Sequence, residues 1–224
     1  VKISFVIPTL NEEGNIAGLL SGVRKEARRL GADYEMIVVD GHSSDRTADL
    51  ARRNGARVIY DSLGKGSALR AGFKEARGDV IVSIDADLSH HPKEIGMLVD
   101  AVGAGYDIAM GSRFMQGGGT ADMEWYRMAG NRAFVWLTNA LYGSRYSDLC
   151  YGYRAIRKSS VRKMRLTTNG FGIEAEISAE AVKRGLRTVE VPSFEKKRNS
   201  GAGKLKTFRD GVDILKIIVR KLGD

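Results

Sequence analysis

Cysteine, proline and histidine are scarce in this chain: one, three and three residues among 224. A lone Cys150 excludes an intrachain disulfide and suits a reducing compartment. His42, His90, His91 and Cys150 fall in no zinc-ligand spacing, so a zinc site is not expected. No unbroken apolar run approaches the roughly 20 residues of a membrane span. No signal-peptide pattern precedes the first expected strand, Ile3 to Ile7. That strand is not followed by G-x-G-x-x-G, which argues against a dinucleotide dehydrogenase, and no G-x-x-x-x-G-K-[ST] points to a P-loop ATPase. The Gly-rich loop of a sugar-phosphate nucleotidyltransferase is also missing after it. Repeats and low-complexity linkers are absent, and the length fits a single domain.

What is present is an alternation. Strand-like runs at Ile3–Ile7, Glu35–Val39, Arg57–Tyr60 and Asp79–Ile84 are separated by segments of helical periodicity. The strands are apolar on both faces, which predicts a mostly parallel, Rossmann-like α/β sheet with helices on both sides. Asn11 is expected to cap the first helix, and Ser43 or Ser44 the second. Gly64-Lys65-Gly66 opens a third helix. Beyond Pro92, helices are expected to about Ala104, over Met123–Tyr142 and over Glu174–Lys183. Strands are expected at Tyr106–Met110, Arg154–Arg157 and Leu186–Val191. Gly117-Gly118-Gly119 reads as a mobile loop. The single domain divides near residue 105, into a nucleotide-binding half (1–104) and an acceptor-binding half (105–224).

Right-handed crossovers bring the strand C-terminal ends to one edge, where ligands bind. That edge collects Pro8-Thr9-Leu10-Asn11-Glu12, Asp40 and Asp85-Ala86-Asp87. Asp85 and Asp87 leave the strand on the same side, and two such carboxylates repel unless a cation joins them. A hard divalent ion, Mg²⁺ or Mn²⁺, shared with a phosphate ligand resolves the repulsion. Asp40 can accept hydrogen bonds from a base or ribose. His91 reads as a cap before Pro92, and Cys150 as a packed small side chain.

Lys and Arg outnumber Asp and Glu by 36 to 27, a net charge of +9, and +6 of it lies from Lys196 onward. A basic end of this kind implies an acidic partner. Phe208, Val212, Leu215, Ile218, Val219 and Leu222 form the apolar stripe of a closing helix. It could lie on an anionic membrane or pack on the sheet, and packing is expected for Phe208 and Val212.

Val6-Ile7-Pro8-Thr9-Leu10-Asn11-Glu12, Ile37-Val38-Val39-Asp40, Gly64-Lys65-Gly66, Asp85 through Pro92 and Gly111-Ser112-Arg113 occur here in order. In this the chain resembles family 2 glycosyltransferases of the GT-A fold, and within them the dolichyl-phosphate mannosyltransferase group. The likeness covers nearly the whole chain. It implies a metal-dependent inverting transfer of a hexose, mannose from GDP-mannose foremost, to a dolichyl or polyprenyl phosphate. By the resemblance, Pro8, Thr9, Glu12, Val38, Asp40 and Lys65 line the nucleoside. Asp85, Ala86 and Asp87 meet the diphosphate and sugar, and Arg198 and Lys204 close over the diphosphate. Asp85, Asp87 and Ser89 surround the Mg²⁺ or Mn²⁺. Arg113, Arg127, Asn131 and Arg132 hold the acceptor phosphate, with Asp87, Arg113 and Arg127 as the catalytic set.

Leu10, Gly41 and Ser89 depart from the usual pattern, and they leave UDP-glucose or another donor open. A lipid phosphate is already anionic and needs no base. A glycan hydroxyl would need one, and Glu174 or Glu176 is then the candidate. The expected setting is the cytoplasmic face of a membrane, bound peripherally or through a membrane partner subunit, with no nucleic-acid partner. A non-catalytic basic module is the remaining alternative, and it leaves the paired acids unexplained.

Overall fold

The computed structural model describes residues 1–198 and 207–223. Lys204, expected at the diphosphate, lies outside the described residues. The elements follow the order β1 (Lys2–Thr9), α1 (Ile16–Arg29), β2 (Asp33–Asp40), α2 (Thr47–Arg53), β3 (Arg57–Tyr60), α3 (Lys65–Glu75) and β4 (Val80–Ser83). A 3-10 turn (Pro92–Glu94) then leads into α4 (Ile95–Gly103), β5 (Ile108–Ser112), β6 (Gly119–Thr120) and α5 (Trp125–Tyr142). The chain continues through β7 (Arg154–Arg157), α6 (Lys158–Val161), α7 (Ile173–Lys183), β8 (Thr188–Pro192), β9 (Phe194–Glu195) and α8 (Thr207–Gly223).

Seven strands form one sheet in the order β3-β2-β1-β4-β7-β5-β8. β1, β2, β3 and β4 pair in parallel, as do β5 and β8. β7 enters between β4 and β5, antiparallel to both. Strand side chains alternate between two cores. Phe5, Ile7, Val38 and Val82 face one with α1 and α4, while Val6, Ile37, Val39 and Ile81 face the other with α3, α7 and α8. The expected α/β sheet covered on both faces is therefore present, with one strand reversed.

Four local expectations change. Asn11 does not cap α1. It sits at a φ of 53°, and its Oδ1 accepts the Ser44 amide, tying the β1 loop to the β2 loop. At α2 the amide acceptor is Asp45, not a serine: its Oδ1 takes the Thr47 N–H at 2.9 Å. The glycine run is a loop only in part, because its last residue, Gly119, joins Thr120 in pairing with Phe194 and Glu195 as a small second sheet. Most of the expected stripe on α8 points outward, and of its six residues only Ile218 is buried. Ile214, Ile217, Ile218 and Lys221 are buried, whereas Phe208 is 88% exposed and Val212, Leu215, Val219 and Leu222 are also exposed. The inner face is chosen by a buried ion cluster. Lys221, 1% exposed, places Nζ 3.1 Å from Glu176 and 3.4 Å from Glu180 on α7.

Candidate active site

A cavity of about 400 Å³ opens at the C-terminal ends of β1, β2 and β4. Pro8, Thr9 and Glu12 line it from the end of β1, and Lys65 from the start of α3. Asp85, Ala86, Asp87 and Ser89 enter from the turn after β4. Arg113, Arg127 and Arg198 complete the expected residues around it. Sequence separation thus collapses at one sheet edge, as the parallel topology requires.

Other expected residues lie elsewhere. Val38 packs in the core, because its position on β2 turns inward. Asp40 is sealed beneath the cavity edge and accepts hydrogen bonds from the Ser43 amide (2.8 Å), the Ser43 hydroxyl (2.6 Å) and Thr9 Oγ1 (3.2 Å). Asn131 is buried within α5, and its Oδ1 receives the amides of Leu149 (3.3 Å) and Cys150 (3.1 Å). Arg132 lies over the Phe114 ring, outside the cavity lining. Val38 fills the core, and Asp40, Asn131 and Arg132 engage hydroxyls, backbone amides or a ring; none of the four lines the cavity.

The two acids of the turn have different partners. Lys65 Nζ lies 2.8 Å from Asp85 Oδ1 and 2.8 Å from Glu174 Oε1. Burial opposes the charges, but the pairing wins: the Lys65 pKa is raised, and the Asp85 carboxyl is held below its ordinary range by Lys65. Gly152 makes room for this pair, since a Cβ there would come 3.0 Å from Lys65 Nζ and 3.2 Å from Asp85 Oδ2. Asp87 instead receives the Ser89 hydroxyl at 2.7 Å and the Ser89 amide at 3.1 Å, both on Oδ1. Its Oδ2 is left 3.5 Å from Arg198 Nε. Arg198 also reaches Asp122 at 3.0 Å.

The Gly64-Lys65-Gly66 turn is built for close packing, not for cradling phosphate. The Gly66 and Ser67 amides donate to the Asn169 carbonyl at 2.7 and 3.2 Å. A Cβ at Gly64 would meet that same oxygen at 2.7 Å, and Gly64 holds a φ of 120°.

Arg113 lies in the wall, but its charge is already matched. Its Nε and Nη2 pair with Asp148 at 2.7 and 2.9 Å, and Nη1 lies 3.2 Å from both oxygens of Glu195. Burial opposes this cation too, yet Asp148 raises its pKa further. Arg127 has no ion pair among the described residues and lines the cavity. Of the two candidate bases, Glu174 lines the cavity and is tied to Lys65. Glu176 does not line it. It faces α8 and the Thr167 and Thr168 amides at 2.9 to 3.0 Å. Cys150 borders the cavity as a half-buried side chain whose thiol burial pushes up to about 12, so it is no nucleophile near neutral pH. His91 caps the 3-10 turn as expected, its Nδ1 accepting the Lys93 amide at 3.2 Å.

The family profile described as "Glycosyl transferase family 2" matches residues 4–165. The chain belongs to that family. The fold agrees: glucosyl-3-phosphoglycerate synthase from Mycobacterium tuberculosis, solved with Mn²⁺, UDP and glucosyl-3-phosphoglycerate, superposes with a TM-score of 0.78 at 24% identity, covering 99% of this chain and 80% of that one. Among curated relatives, the dolichol-phosphate mannosyltransferase of Pyrococcus furiosus is 37% identical over 214 residues, which are 92% of this chain and 60% of the relative. The polyprenol monophosphomannose synthase of Mycolicibacterium smegmatis is 32% identical over 89% of this chain and 79% of the relative. The undecaprenyl-phosphate 4-deoxy-4-formamido-L-arabinose transferase of Edwardsiella ictaluri is 34% identical over 90% of this chain and 62% of the relative. The chain thus spans less than two thirds of the length of the Pyrococcus and Edwardsiella relatives.

Several residues of this transferase-family site carried little signal in the sequence. Glu195 sits in a two-residue strand, too short to show a period. Asp148 stands in the turn before β7, where an acid beside tyrosines was visible but its arginine partner was not. Tyr151 and Phe171 also line the cavity, from loops.

Proposed function

We propose that this chain transfers a hexose, with inversion, from a nucleoside diphosphate sugar to a polyprenyl-type lipid phosphate at the cytoplasmic face of a membrane. The observation that carries this is the charge pattern of the cavity. Asp87 faces Arg198 on the donor side, and Arg127 supplies a cation without a carboxylate partner among the described residues. The names of the Pyrococcus and Mycolicibacterium relatives support mannose as the sugar and a lipid phosphate as acceptor.

The residues present fit a divalent ion that arrives with its donor. Among the described residues no three acidic, His or Cys side chains form a metal cage. Asp85 is engaged by Lys65, and the Ser89 hydroxyl donates to Asp87 and orients that acid while its own oxygen lone pairs stay open to the ion. Mg²⁺ commonly binds through one or two carboxylates plus substrate phosphates, and Asp87 Oδ2 with Asp85 beside it meets that requirement. A bound Mg²⁺ or Mn²⁺ would supply positive charge for the departing diphosphate.

The chain's own residues do the rest. Lys65 keeps Asp85 ionised and fixed at the floor of the cavity. Arg198 lies beside Asp87, where it can swing to a diphosphate oxygen. Arg127 pairs with the acceptor phosphate, for which a guanidinium fork is well shaped. Arg113, balanced by Asp148 and Glu195, sets the wall beside Arg127. The acceptor oxygen is anionic without help, so Glu174 can remain bound to Lys65 and need not take a proton.

A membrane surface is the natural partner for such an acceptor. The outward face of α8 carries Phe208, Val212, Leu215, Val219 and Leu222, flanked by exposed Arg209, Lys216 and Arg220. α5 packs against α8, with Phe134 over Gly211, and adds exposed Trp125 and Trp136. Aromatic and basic residues around an apolar helix face suit an anionic lipid interface. No helix among the described residues is long and apolar enough to cross a membrane.

The test offers GDP-mannose, UDP-glucose and other nucleotide sugars with a polyprenyl phosphate in anionic vesicles, with and without Mg²⁺ or Mn²⁺. Metal-dependent formation of a lipid-linked hexose is expected, strongest with GDP-mannose. Transfer to a glycan hydroxyl but never to lipid phosphate would overturn the acceptor reading.

A further inference from the structure

The turn that carries Asp85 and Asp87 is held in shape by a side chain the function has not used. His90 is 1% exposed. Its Nδ1 accepts the backbone N–H of Asp85 at 3.1 Å, closing the turn on itself around Leu88, which holds a φ of 64°. Accepting at Nδ1 leaves the ring proton on Nε2. The imidazole lies flat on Tyr153, with centroids 4.8 Å apart and planes 2° from parallel. It also meets Tyr151 edge-on at 4.6 Å. Tyr151 in turn carries the Arg113 guanidinium over its ring at 4.6 Å. Both tyrosines are anchored at the far end. Tyr153 donates to the His91 carbonyl at 2.9 Å, and the Tyr151 hydroxyl lies 3.0 Å from Ser193 Oγ.

An unbroken stack therefore runs from the acidic turn to the arginine wall: the Asp85 amide, His90, Tyr151, Arg113. A residue whose sole duty was to fill space would not need an acceptor aimed at one amide. We infer that His90 and Tyr151 are positioning residues that fix the separation between the Asp85–Asp87 turn and the arginine wall, His90 setting the turn and Tyr151 setting the wall. The inference rests on the proposed donor and acceptor sides of the cavity. It assigns separate effects to the two residues. Loss of the His90 acceptor loosens the turn and weakens metal and nucleotide. Loss of the Tyr151 ring lets Arg113 shift and weakens the acceptor.

Two readouts separate this from general stability. Hydrogen exchange at the Asp85 amide, followed by NMR in the metal-free chain, reads the turn directly. Titration calorimetry with GDP or UDP and Mn²⁺ reads the donor side without turnover. In His90→Leu, Asp85 exchange should accelerate at least about tenfold, and metal–nucleotide affinity should fall about 10- to 100-fold, as expected for removing a group that orients a metal ligand. His90→Asn places an amide oxygen near the position of Nδ1 and should restore most of both. Tyr151→Phe keeps the ring over Arg113 and loses only the Ser193 anchor, so it should recover most of the acceptor KM lost in Tyr151→Leu. Tyr151→Leu should raise the acceptor KM about tenfold, through the lost cation–ring contact, and leave metal–nucleotide affinity in place. If His90→Asn is as impaired as His90→Leu, or if Tyr151→Leu weakens donor and acceptor alike, the inference fails while the proposed function stands. If the unaltered chain binds no nucleotide with metal, both fail together.

Discussion

The two sides of the cavity differ in how much charge they leave uncommitted. On the α3 and α7 side, Lys65, Asp85 and Glu174 satisfy one another within 2.8 Å. On the α5 side, Arg127 has no carboxylate partner among the described residues, and Asp87 meets Arg198 at a loose 3.5 Å. A closed set resists change when a charged ligand enters, because its charges are already paid for by neighbours. A loosely paired set can exchange partners. The Asp85-x-Asp87 pair is therefore asymmetric: Asp85 belongs to the fixed side and Asp87 to the exchangeable one.

The largest expected effect tests that asymmetry. Asp87→Asn should lower transfer about 10³-fold, the size of a lost metal contribution of several kcal/mol, and abolish the response to added Mn²⁺. Asp85→Asn should raise the donor KM about tenfold and keep the metal response, because Glu174 still holds Lys65. Steady-state rates over a Mn²⁺ series for both variants decide it. Identical metal curves for the two would make the acids equivalent and break the comparison.

The arginines sharpen the same contrast. Arg113→Gln leaves Asp148 and Glu195 facing each other without a cation, and a broken buried pair costs about 3–5 kcal/mol of stability. Arg127→Gln breaks no ion pair among the described residues. It should leave the denaturation midpoint in place and raise the acceptor KM about 10- to 100-fold, the worth of one hydrogen bond to a charged group. Urea unfolding and acceptor kinetics on both proteins check this. A large stability loss in Arg127→Gln would show that it, too, is committed to structure.

How much of this the chain disclosed in advance follows the same division. The first four strands and three helices announce themselves by period and by turn residues, and the residues at their strand ends do meet. Parallel topology fixes where a strand end goes, so Thr9, Asp85 and Asp87 could be placed from local pattern alone. The second half gave its elements but not their arrangement. Arg154–Arg157 was legible as a strand, yet nothing in four residues tells that it enters the sheet reversed, between β4 and β5. The partners of Arg113 come from a turn and a two-residue strand, joined by tertiary contacts that no spacing encodes. On α8 the longest apolar stripe suggested the buried face. The true inner face was set by Lys221, a residue whose charge argued for solvent until two buried glutamates were seen opposite it.

That α8 cluster supplies the smallest expected effect, on a region that is closed like the Lys65 side but lies away from the chemistry. Burial opposes ionisation of Glu176, yet the Thr168 and Thr167 amides and Lys221 outweigh it and hold its carboxyl below the ordinary value of 4.5. In the unfolded chain the same group takes up a proton at the ordinary value, so acid favours unfolding. Its contribution is fully present above about pH 4.5 and is lost as pH falls toward the depressed folded value. One such group contributes a slope of at most about 1.4 kcal/mol per pH unit. Glu176→Gln should lower stability at neutral pH, where Lys221 loses one of two acids, and flatten the decline between pH 5 and 3. Glu180 and Asp85 also hold depressed values, so some decline should remain. Urea midpoints across that range measure it. An unchanged slope in Glu176→Gln would mean that α8 is held by Ile214, Ile217 and Ile218 alone, and that the buried ions choose its face without stabilising it.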